Sequence, residues 1–121
     1  MGAGPTIGDS TEGEPMRRFM FRVSYSKDGM QGVIKEGAAS RRTTIEKMAA
    51  DMGGSIASFD FAFGDTDVYV IAEMPDEITA AAVATAVAAS GAASIDTVVL
   101  LSAEDLDAAI AKHAPYRPPG G

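Results

Sequence analysis

Phe59, Phe61 and Phe63 stand on alternate positions, with Asp60 and Ala62 between them. A period of two belongs to a pleated strand, whose successive side chains point to opposite faces. Gly64-Asp65-Thr66-Asp67 follows, and beyond it Val68, Val70 and Ala72 alternate with Tyr69, Ile71 and Glu73. Glycine reaches positive φ without steric cost and aspartate bonds its own downstream backbone, so these four residues suit a tight reversal. Ser55 to Glu73 therefore reads as a β-hairpin with Gly64, Asp65 and Asp67 as its turn motif. Its second strand is apolar on both faces.

The rest of the chain supplies what such a hairpin packs against. Arg17 to Tyr25 predicts a first strand, with Phe19, Phe21, Val23 and Tyr25 on one face and Arg18, Met20, Arg22 and Ser24 on the other. Ser26 to Gly37 reads as a short helical segment carrying Met30, Val33 and Ile34. Ala38 to Met52 is the main helix, its stripe formed by Ile45, Met48, Ala49 and Met52 at helical spacing. Arg42 and Glu46 are four apart on its outer side and are expected to pair. Gly53-Gly54 ends it. After Met74-Pro75, Asp76 is placed as the N-cap of a second helix, Glu77 to Ser90. That helix is nearly all alanine with Ile78, Val83 and Val87, small enough to lie close on a sheet. Ser94 to Leu101 predicts a fourth strand. Ser102 then caps Ala103 to Lys112, whose Leu106, Ala109 and Ile110 form a stripe expected to be buried.

The order β-α-β-β-α-β with a terminal helix predicts an α+β, ferredoxin-like domain: a four-stranded antiparallel sheet with helices on one face. Residues 1–15 are Gly, Thr, Ser, Pro and acid with almost nothing apolar, and read as a disordered leader. The domain is expected over residues 16–113, with an extended, proline-rich tail over 114–121.

Two helices cover one side of such a sheet. An uncovered antiparallel face normally alternates to polar, yet here Met20, Tyr69, Ile71, Val98 and Leu100, or the set opposite, remain apolar. A patch of that kind marks an interface. The expectation is a homodimer or higher homo-oligomer packed sheet to sheet, of the dimeric α/β-barrel type.

Charge and composition limit the partners. The formal net charge of −7 disfavours nucleic acid and anionic membrane. No apolar run approaches the ~20 residues of a membrane span. There is no cysteine, which removes thiol nucleophiles and thiolate metal ligands. The reading is a cytoplasmic protein, with no cofactor and no metal implied.

FRVSYSKDG at the first strand, SFDFAFGDTDVYVI through the hairpin and the closing YRPP resemble the GYD-domain family of small prokaryotic proteins. The likeness runs from about Phe19 to Gly120. Gly64 and Asp67 match the turn that gives the family its name, and Thr66 stands where tyrosine is common. The resemblance implies a ferredoxin-like relative of the dimeric α/β barrels and carries no established activity.

No catalytic constellation stands out. The phosphate-loop and dinucleotide glycine patterns are absent. Asp65 and Asp67 suit a turn better than a metal site, since calcium takes six or more oxygen ligands. His113, the single histidine, precedes Ala114-Pro115 at a helix end. Lys35, Arg41, Arg42 and Lys47 form a local basic stretch that reads first as a solvated helix face and second as a place to steer a carboxylate or phosphate ligand. Arg22, Asp60 and Glu73 sit inside otherwise apolar strands, where a charge is costly unless paired. They read first as a structural ion pair at a dimer seam, formed where two of them meet across neighbouring strands, and second, with Tyr69 and His113, as the candidate pocket residues. Tyr116 and Arg117 are candidate anchors by which the tail reaches a sheet edge or a neighbour. The leading reading is a self-associating domain that binds a small ligand or a protein partner without catalysis. The rivals are a cofactor-independent monooxygenase or isomerase, and an assembly protein that clasps its neighbour with the tail.

Overall fold

The computed structural model of the protein describes residues 16–121. The reading of residues 1–15 as a leader lies outside them. The elements are β1 (Arg17–Tyr25), α1 (Lys27–Glu36), α2 (Ala38–Asp51), β2 (Ser55–Phe61), β3 (Val68–Met74), α3 (Glu77–Ser90), β4 (Ala93–Leu100) and α4 (Ala103–Ala111). The four strands form one antiparallel sheet in the order β2-β3-β1-β4, the ferredoxin-like arrangement expected from the element order.

Parity along each strand decides which side chains meet the helices. Phe19, Phe21, Val68, Val70, Ala72 and Met74 point to one face and form the core with Ala49 of α2 and Ala80 and Val83 of α3. α2 lies over β2, and α3 lies over β4 and touches β3. The alanines of α3 allow that close approach, as its sequence suggests, and Ala49 does the same for α2.

β2 carries one irregularity that the simple alternation hides. Ile56 pairs with Ala72, but Ser58 pairs with Ile71, so Ala57 is an extra residue in the ladder. The slip changes parity, which is what a β-bulge does. It brings both Ile56 and Phe59 onto the helix-covered face, where each packs against the core. The phenylalanine run also ends earlier than its spacing suggests. β2 stops at Phe61, and Phe63 lies beyond it, fully exposed.

The hairpin turn is tied to β1 rather than merely reversing the chain. Asp67 Oδ2 accepts the Tyr25 N–H at 2.8 Å, and the Asp67 N–H donates to the Val23 carbonyl at 2.8 Å. Ser24 Oγ donates to the Asp65 carbonyl at 2.7 Å. Gly64 sits at φ 147°, a conformation that disfavours any side chain. The turn role given to Gly64, Asp65 and Asp67 is what these bonds describe.

α1 abuts the loop before β4. Ser26 caps the helix by accepting the Gly29 N–H, while its own N–H donates to the Ala92 carbonyl at 2.8 Å. A Cβ on Gly29 would run into that same carbonyl, so the close approach requires glycine.

Two expectations are overturned. Arg42 and Glu46 do not pair; the ion pairs of this region are Arg41–Glu36 and Lys47–Asp51, because Lys47 and Asp51 are also four apart and α1 delivers Glu36 beside Arg41. The larger correction concerns α4. Leu106, Ala109 and Ile110 are not buried: every residue of the helix is exposed, Leu106 at 53% and Ile110 at 61%. The helix follows the edge strand β4 and makes no substantial packing against any other element. Its amphipathic pattern is real, but the domain has no surface set against it.

Candidate functional site

The alanines that bring α2 and α3 down onto the sheet also leave space beneath them. A cavity of about 340 Å³ lies between those helices and the covered face. That is at the lower end of small-ligand sites, and equals roughly ten waters at ~30 Å³ each. The sheet gives its floor through Phe21, Val23, Val68 and Val70. Ile45 and Met48 of α2 and Val83 and Val87 of α3 form its walls.

Among the described residues only Tyr25, Arg41 and Ser90 bring polar side chains to this lining. Tyr25 is the last residue of β1 on the parity of Phe19, Phe21 and Val23, so its ring continues the apolar floor. Arg41 precedes Ile45 and Met48 by four and seven residues and therefore projects from the same side of α2. Its guanidinium reaches Glu36 at 3.7 Å, a loose pair with both side chains about one-third exposed. Ser90, at the end of α3, is occupied locally: its hydroxyl donates to the Val87 carbonyl and accepts the Ala92 N–H.

Burial pushes the Tyr25 phenol above its ordinary value. The nearby Arg41 guanidinium works against that shift, and the Glu36 and Asp67 carboxylates add to it. At neutral pH the group is a protonated phenol, able to donate a hydrogen bond. Tyr25 and Arg41 together present donors to an apolar chamber that offers no carboxylate and no imidazole.

The pocket candidates named from the sequence lie elsewhere. Arg22, Tyr69, Glu73 and Asp60 all project from the other face of the sheet, which no helix covers. Register brings Tyr69 between Arg22 and Asp60 on neighbouring strands. Arg22 pairs with Asp96 at 3.6 Å and Glu73 with Arg18 at 3.8 Å, both half-exposed and therefore each contributing only ~0–1 kcal/mol. Their charges are not buried within this chain, so the cost that drew notice to them is absent here. Between these pairs, Met20, Ile71 and Val98 form a partly covered apolar band.

His113 follows α4 with φ 50° and its N–H bonded to the Ile110 carbonyl, ending the helix. It lines no part of the cavity. Tyr116 is exposed, and the Arg117 guanidinium donates to the Gly121 carbonyl. Among the described residues there is no cluster of three or more metal-ligating side chains, and no helix long and apolar enough to cross a membrane.

The GYD domain matches residues 19–110, most of the chain. The chain belongs to the GYD-domain family. The match takes in all of the sheet but the first two residues of β1, α1 to α3, the cavity and all but the last residue of α4, and stops before the proline-rich tail. No curated protein and no solved structure matches the chain.

Tyr25 is not among the candidates drawn from sequence, and Arg41 enters there only as one member of the basic stretch, yet both are signalled by their place in the residue pattern. Tyr25 shares the parity of the apolar face of β1, and Arg41 shares the heptad-like row of Ile45 and Met48. A polar tip at the end of each apolar row marks the lip of a chamber, provided the two rows are known to face each other.

Proposed function

We propose that this GYD-domain protein is a self-associating, non-catalytic domain that holds a small, largely apolar ligand with an anionic end. The observation that supports this reading is the chamber between α2, α3 and the sheet, apolar except for the Tyr25 and Arg41 donors. An apolar body would fill the space left above Phe21 and Val70. A carboxylate or similar acceptor would take the guanidinium of Arg41 in place of the loose Glu36 contact, together with the Tyr25 O–H.

The monooxygenase or isomerase reading needs a base beside the substrate. The cavity lining holds no carboxylate or imidazole, and burial keeps Tyr25 in its acid form. Binding without chemistry is the better-supported reading.

The test uses anilinonaphthalene sulfonate, a dye with an apolar ring system and one anionic group. The native protein is expected to bind it saturably with enhanced fluorescence. Arg41→Gln is expected to weaken binding by about tenfold, the loss of one charge-assisted hydrogen bond. Val83→Trp, or the gentler Ala86→Phe at another α3 residue of the lining, is expected to abolish it by filling the space, with the far-ultraviolet circular dichroism unchanged. Binding that ignores both Arg41→Gln and a folded filler variant contradicts the proposal.

A further inference from the structure

We infer that Glu36 sets the charge of the ligand: the chamber takes an amphiphile with a singly charged head, a carboxylate or sulfate, and rejects the doubly charged head of a phosphate monoester. The inference rests on the chamber being the binding site, as proposed above, and adds the ionic class of the ligand and the residue that selects it.

Glu36 stands outside the lining but against its polar end. It is the last residue of α1, and Gly37, at φ 97°, is the single residue between α1 and α2. That short turn leaves the Glu36 carboxylate 3.7 Å from the Arg41 guanidinium, the one cation of the lining among the described residues. A separation of 3.7 Å is longer than a hydrogen bond, so the contact engages none of the five guanidinium N–H donors. A ligand head can take those donors while the charge of Glu36 remains beside it.

α1 is held where it cannot carry that charge away. The Ser26 N–H and hydroxyl both donate to the Ala92 carbonyl, and Val33, three residues before Glu36, is buried. The phenol of Tyr25 lies in the same field. The Arg41 guanidinium favours its anionic form, and the Glu36 and Asp67 carboxylates oppose it. Asp67 is itself fixed, accepting the Tyr25 N–H at 2.8 Å. The polar end of the chamber therefore has two carboxylates against one guanidinium before any ligand arrives. Of the basic stretch, only Arg41 reaches the lining; Lys47 pairs with Asp51, and Lys35 and Arg42 are exposed. One negative charge on a ligand is met by Arg41. A second has no cation of its own and adds repulsion from Glu36, in a protein whose formal net charge is already −7.

The size of the chamber fixes the rest of the ligand. Its volume of about 340 Å³ is that of roughly ten waters, room for a chain of about eight carbons with its head at Arg41.

The experiment is displacement of anilinonaphthalene sulfonate at mildly alkaline pH by two compounds of equal chain length, octyl sulfate and octyl phosphate. The sulfate carries a single charge and the phosphate nearly two, since the second pKa of a phosphate monoester is ~6. The native protein is expected to bind octyl sulfate about tenfold more tightly than octyl phosphate, the order of one partly solvated charge repulsion. In Glu36→Gln the preference is expected to fall to about twofold or less, with the circular dichroism unchanged because Glu36 lies at the surface. Equal binding of the two compounds by the native protein overturns the inference, as does a preference that Glu36→Gln leaves intact. Either result leaves the chamber standing as a binding site. Displacement by neither compound, or displacement that Arg41→Gln does not weaken, overturns the site itself and the inference with it.

Discussion

The two faces of this sheet are made from the same strands, one residue out of step, and they have come to opposite ends. On the covered face Phe19 is 1% exposed and Phe21, Val68, Val70, Ala72 and Met74 are all buried. On the open face the intervening Met20, Ile71 and Val98 are only partly covered, and charged pairs flank them. Strand propensity cannot distinguish these sets, since both are rich in β-branched and aromatic residues. What separates them is the layer above. α2 and α3 complete one face and enclose a chamber, while α4, which could have served the other, stands away from it. The covered face is finished within one chain. The open face is left uncovered by this chain.

That contrast is sharpest at two single truncations. Phe19→Ala removes a fully buried ring and is expected to cost about 3–5 kcal/mol at any protein concentration, read by urea unfolding. Ile71→Ala, on the open face of the neighbouring strand, is expected to cost less than ~1 kcal/mol in the dilute monomer, the range of a surface position. Its cost should grow as concentration rises and the face becomes covered. Equal costs for the two at high dilution would break the comparison.

A smaller effect sharpens the covered face alone. Because burial raises the Tyr25 pKa, the folded state holds its phenolic proton more tightly than the unfolded chain does. The resulting stability is fully present below the ordinary tyrosine value of 10.0 and is lost as pH rises through it toward the folded value. Thermal melts between neutral and strongly alkaline pH should therefore show a decline that begins near the ordinary value. In Tyr25→Phe that component of the decline should vanish. Persistence of the whole decline in the phenylalanine variant would take Tyr25 out of the buried lining.

Much of this architecture could be read from residue order. The alternation at Phe19–Tyr25 and Val68–Glu73, the Asp76 and Ser102 caps and the GDTD turn each encode local geometry, and the element order then leaves few topologies open. The chamber was harder to foresee, because a void is a property of facing surfaces. Alanine in α3 signals close approach, but not how much space remains once Ala49, Val83 and Val87 are seated. The bulge at Ala57 was hidden for a related reason: parity in β2 is set by pairing with β3, and Ile56 and Phe59 look like opposite faces until that pairing is known. The α4 stripe shows the reverse limit. Leu106, Ala109 and Ile110 do describe an amphipathic helix, yet periodicity says only that a surface is wanted and not on which molecule it lies.

Sedimentation velocity of the full chain over a wide dilution range tests most directly whether the open sheet face meets a second copy. The prediction is a dimer in concentrated protein, weakened by about tenfold or more in Ile71→Glu with the circular dichroism unchanged. A monomer at every concentration, or a dimer that Ile71→Glu leaves unaffected, would contradict the account.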